Sequence, residues 1–196
     1  TTSPYAKLSV VGPVVAEYFY ATSSTATSTF AGAIDLANTT SAGTGVITMG
    51  GTRFIHAIGN QGNSFLGSSS GNLTMTGISN TGVGEFVLSD NTTGLQNTAI
   101  GAVSLSDNTS GRDNVALGYG VLASNTTGGN NVGIGSSALS GNLSGTDNVG
   151  IGYLALSANT TGASTTAIGY RALGANTTGT SSTAIGFNAG RINTTG

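Results

Sequence analysis

The chain has 196 residues and a formal net charge of −2; only 6% of its residues are charged, while 33 are Gly. Charged residues make up about 25% of an ordinary globular domain, so a conventional helical domain with a salt-bridged surface is excluded. Lys7, Arg53, Arg112, Arg171 and Arg191 stand singly, which gives nucleic acid no basic stripe to follow, and the absence of Cys removes disulfide, zinc-thiolate and thiol chemistry.

Residues 6–12 and 14–20 read as strands split by Pro13, followed by a Ser/Thr-rich tract from Thr22 to Thr29. Residues 46–49 and 52–58 form a second apolar pair around Gly50-Gly51. Such short strands have too few residues for a core of their own, so they are expected to pair between chains, residues 1–62 forming a β-rich intertwined stalk or junction. The opening TTSPY carries no initiator Met and no basic n-region, and no apolar run of about 18 residues is present to span a bilayer. The expectation is a piece of a longer secreted or virion-borne polypeptide, located outside the cell, with no membrane insertion in this segment.

From residue 63 the sequence changes grammar. Asn63-Ser64-Phe65-Leu66-Gly67 and Thr76-Gly77 make 63–79 a degenerate first coil, and seven copies follow from Asn80, Asn97, Asn114, Asn131, Asn148, Thr165 and Ser182, each 17 residues after the last. The seventh copy is incomplete within residues 80–196. Counting places 1 to 17 in each copy, place 4 is Val83, Ile100, Leu117, Ile134, Ile151, Ile168 and Ile185. Place 5 is Gly84, Gly101, Gly118, Gly135, Gly152, Gly169 and Gly186, and place 15 is again Gly throughout. Place 9 is Leu88, Leu105, Leu122, Leu139, Leu156 and Leu173, and place 12 is Asn91, Asn108, Asn125, Asn142, Asn159, Asn176 and Asn193.

A unit this short, rich in Gly, Asn and β-branched residues, is a β-solenoid coil and not a helical repeat. Stacked coils pair strands about 4.8 Å apart, so seven would make a rod of about 34 Å. The place-4 and place-9 columns are expected to form its core, and small residues at places 3 and 8 to allow close approach. The two fixed glycines are expected to turn corners with backbone angles that a Cβ would forbid. The Asn column reads as a turn ladder, with glycosylation sequons as the other reading of Asn-Thr-Thr, Asn-Thr-Ser and Asn-Leu-Ser.

Units such as Asn97-Thr98-Ala99-Ile100-Gly101 and Asn148-Val149-Gly150-Ile151-Gly152 resemble the head repeats of trimeric autotransporter adhesins. With the added Ala-Leu and Asn-Thr-Thr-Gly they also resemble repeats of long bacterial surface proteins and of phage tail-fibre-like proteins that end in a self-cleaving chaperone domain. The resemblance covers about residues 63–196 and implies an all-β, left-handed parallel β-roll, a homotrimer wound about one axis, and attachment to a host surface or glycan receptor. The better-known adhesin repeats are shorter, so the extra residues should enlarge one edge of the coil. No stretch matches a membrane anchor, a heptad stalk or the chaperone domain.

The search for chemistry finds little. His56 is the single histidine and reads as structural, and Gly133-Ile134-Gly135 is a repeat corner without a phosphate loop's Gly-Lys-Ser/Thr. Asp90 and Asp107 share place 11 in successive copies, where repelling edge carboxylates are a simpler reading than a calcium site. Place 6 brings Tyr119, Tyr153, Tyr170 and Phe187 into one column, suited to packing against another subunit or to binding sugars. The expectation is a non-enzymatic structural fibre with no cofactor and no metal. Thr columns at places 13 and 14 make an ice-binding solenoid the alternative, with a polysaccharide-binding or cleaving tailspike behind it.

Overall fold

A computed structural model describes residues 46–49, 52–58 and 62–195; the strands expected at 6–12 and 14–20 lie outside the described residues. The chain divides into two compact units, 1–35 and 36–196, and every described residue belongs to the second. That unit is all-β, with no helix among the described residues. Its strands are β1 (Val46–Met49), β2 (Thr52–Ile58), β3 (Asn63–Leu66), β4 (Thr81–Val83), β5 (Thr98–Ile100), β6 (Val115–Leu117), β7 (Val132–Ile134), β8 (Val149–Ile151), β9 (Thr166–Ile168) and β10 (Thr183–Ile185).

All ten strands form one sheet in chain order. From β3 onward neighbours are parallel and pair residues one repeat apart, Thr98 with Val115 and Ile100 with Leu117. An unbroken 17-residue period allows only that register: a slip would take every Asn and Gly off its partner. Within the chain β1 pairs antiparallel with β2, with a bulge between Ile47 and Thr48, and β2 pairs antiparallel with β3. The edges that β1, β2 and β3 share are thus hydrogen-bonded within one chain, while the other edge of β1 pairs with no described strand.

The core departs from expectation in one respect. Five of the six Leu residues at place 9 are wholly buried and Leu173 nearly so, and they pack with the small or branched residues of place 8, such as Val87, Val121 and Ala138. The place-4 column does not join them. Ile100 is 44% exposed and Ile185 69%, while Val83, Leu117, Ile134, Ile151 and Ile168 are half-buried on the outer side of the sheet. Strand alternation puts place 3 inside instead, and place 3 holds only Gly or Ala in the seven copies. The cause is thickness: a Cβ added at Gly133 would strike Val121, and one at Gly150 would come within 3.0 Å of Leu139. A coil filled by Leu from one wall has room only for small residues on the other.

The two glycine columns also differ in purpose. At place 5 the backbone takes φ from 110° at Gly135 to 138° at Gly84, a corner closed to other residues. At place 15 no positive φ occurs among Gly94, Gly111, Gly128, Gly145 and Gly162. There a Cβ would collide with the Asn side chain of place 12 and with the next glycine's carbonyl. The expected second corner is thus a point of close approach. Left-handed angles occur instead at Leu, with φ between 47° and 53° at place 9. This backbone costs roughly 1–2 kcal/mol per residue, which burial of a Leu side chain, worth about 1.5–3 kcal/mol, offsets. In the seventh copy Gly190 takes the place with φ 58°.

Candidate binding surfaces

Two ladders of Asn amides run through the interior. At place 12, Asn108 Nδ2 donates to Asn91 Oδ1 at 2.7 Å, and Asn125, Asn142 and Asn159 each donate to the preceding Asn at 2.8 Å. Each also donates to the carbonyl of the glycine three residues on, as Asn125 does to Gly128 at 3.1 Å. At place 1, Asn80, Asn97, Asn114 and Asn131 donate both the backbone N–H and Nδ2 to the Asn one repeat earlier. Aligned chains of this kind polarise one another, and only at Asn176, whose Oδ1 finds no partner, is a place-12 amide oxygen left unpaired among the buried ones. Asn91 through Asn176 in the place-12 column are fully buried, so these sequons are closed to modification in the folded coil.

The outer side of the sheet carries place 2 and place 4. Its middle is aliphatic and half-buried: Val115 with Leu117, Val132 with Ile134, Val149 with Ile151. Beside it, after the corner glycine, Tyr153, Tyr170 and Phe187 stack with centroids 5.5 Å and 5.1 Å apart and planes inclined by 24° and 12°. Tyr119 is exposed and separated from that stack by Ser136. Stacked along the coil axis, the rings cover one another's faces. The column therefore offers edges and phenol oxygens outward, where a sugar would need faces.

The remaining sites resolve as follows. Asp90 and Asp107 are both exposed, and the Asp107 carboxylate accepts a hydrogen bond from the Ser106 hydroxyl at 2.9 Å. Among the described residues no group of three or more His, Cys, Asp or Glu could hold a metal ion. His56 is buried, its ring stacked on Phe65 with centroids 5.3 Å apart. Neither ring nitrogen makes a well-formed hydrogen bond. Burial first, and then the Arg53 charge, lower its pKa from 6.5 to about 4, with the Ser70 backbone pulling weakly the other way. At place 13 the Thr hydroxyls are committed: Thr92 donates to the Thr109 carbonyl at 2.8 Å and Thr109 to that of Thr126 at 2.9 Å. Place 14 is left as an exposed hydroxyl column.

Compared with protein families, curated protein sequences and solved structures, the chain matches none of them.

What the sequence reasoning missed is the outward aliphatic face. The signal was present as the alternation Thr/Val, Gly/Ala, Ile/Leu/Val across places 2 to 4, whose two larger residues share a face.

Proposed function

We propose that the chain is a segment of a non-enzymatic, homotrimeric fibre, extracellular on a cell surface or virion, whose stacked coils provide reach and surface attachment. The observation that carries the proposal is the unbroken aliphatic column of place 4 on the outer side of the parallel sheet, flanked at place 2 by Val115, Val132 and Val149 in the middle copies and by Thr in the other four. A flat row of half-exposed Val and Ile at regular spacing is unfavourable in water and suits burial against further copies of itself. The adjoining Tyr/Phe column widens that face, which favours packing over sugar stacking for these rings. The fibre reading is preferred to ice binding because the place-13 hydroxyl protons are already donated to carbonyls, which leaves one free column where a plane is needed.

Light scattering tests the assembly: about three times 19.1 kDa is expected, and a monomer overturns it. Ile134→Asp, at the middle of the face, is expected to give a folded monomer. If this variant stays trimeric, the face is not the interface.

A further inference from the structure

We propose that a lateral hollow between the fifth, sixth and seventh copies binds the carboxylate of an acidic sugar. It encloses about 270 Å³ and is lined by Leu154, Ser157, Arg171, Gly174, Ala175 and Arg191. That lies just below the roughly 300–1,000 Å³ of ordinary small-molecule sites, a size suited to one ring.

Three features point to this ligand. The first is charge. The first four copies carry Glu85, Asp90, Asp107, Asp113 and Asp147 against Arg112 alone, whereas residues 148–196 contain two arginines and no acid. Both arginines line the hollow, both are exposed, and the single ion pair among the described residues is Arg112 with Asp113. Two guanidinium groups without acidic partners give an anion site, and their planar forks match a carboxylate.

The second is departure from the repeat. Place 10 is Ser or Ala in the first five copies, but Gly174 in the sixth and Arg191 in the seventh. Gly174 has no positive φ, so conformation does not require glycine there. Its missing side chain opens the hollow, while Arg171 and Arg191 put charge at its rim. The third is the lining: Leu154 and Ala175 supply an apolar floor and Ser157 a hydroxyl, with Tyr170 beside the rim, its ring 5.8 Å from the Arg171 guanidinium carbon. An apolar patch, a hydroxyl and a cation pair fit a sugar acid better than a bare inorganic anion.

The site deepens the attachment reading and rests on it for its biological use, although the hollow needs only one chain. Titration of the full chain with trigalacturonate, against neutral galactotriose, tests it. Binding of the acid alone is expected, weakening as salt rises. Arg171→Gln, Arg191→Gln and Gly174→Ser should each weaken it about tenfold, with Arg112→Gln unchanged. Ser at position 174 restores the residue four earlier copies carry, so that variant keeps the fold. Absence of binding, equal binding of the neutral sugar, or an equal loss in Arg112→Gln would overturn the site. A monomer that binds the acid sinks the fibre and keeps the site; a trimer that does not bind does the reverse.

Discussion

The leading coil and the regular coils fill the same interior from opposite walls. In coil 63–79 the strand supplies the large residue: Phe65 points inward at place 3, and place 9 is Gly71, where a Cβ would lie 2.7 Å from the Phe65 ring. From Asn80 on, place 3 is Gly or Ala and the large residue is Leu at place 9 in six of the seven copies. The polar interior differs as well. Place 12 of the leading coil is the exposed Thr74, and the Asn ladder begins only at Asn91, whose Nδ2 lies 4.0 Å from the Met75 sulfur. From Asn80 to Asn159 the place-1 and place-12 amides are bonded coil to coil, whereas beside the leading coil His56 and Arg53 Nη1 are buried without good partners, as are the Oδ1 atoms of Asn176 and Asn188 in the last two copies. Repetition solves the polar problem once and copies the solution through the middle of the stack; the leading coil and the last two copies solve it only in part.

The largest test swaps the two grammars. Ala116→Phe alone should cost about 3 kcal/mol or more through overpacking against Leu122. Adding Val121→Ser and Leu122→Gly, which reproduces Phe65, Ser70 and Gly71, should restore most of that stability in chemical unfolding. A triple variant no more stable than Ala116→Phe would show that the two walls do not compensate.

The ladder comes next. Asn125→Ala removes a donor to Asn108 and Gly128 and the Oδ1 that Asn142 uses, an expected loss of about 3 kcal/mol, against under about 1 kcal/mol for Thr74→Ala in the leading coil. Equal losses in the two variants would mean that the amide ladder adds nothing beyond an ordinary turn.

The smallest test concerns pH. His56 has a folded pKa of about 4 against the ordinary 6.5, so the unfolded chain takes up the proton first as pH falls. Stability is therefore intact above pH 6.5 and is lost as pH drops through 6.5 toward 4. The loss should reach about 2 kcal/mol between pH 7 and 4.5. His56→Phe should be flatter over that window, and identical profiles for the two chains would remove His56 from the account.

The sequence by itself determined the period, the parallel stacking, the buried Leu column, the place-5 corner and the Asn turn ladder. Exact repetition every 17 residues permits only one register, and Gly and Asn recur where backbone angles or paired amides demand them. Only the tertiary structure decided which side of each strand faces in. Size and apolarity argued for Ile at place 4, yet the distance across so thin a coil is already taken up by Leu, and only Gly or Ala fits opposite it. The same limit on space, and not backbone conformation, explains the place-15 glycines. The hollow beside Arg171 and Arg191 was equally illegible, because places 7 and 10 meet across three coils only once the stack is built.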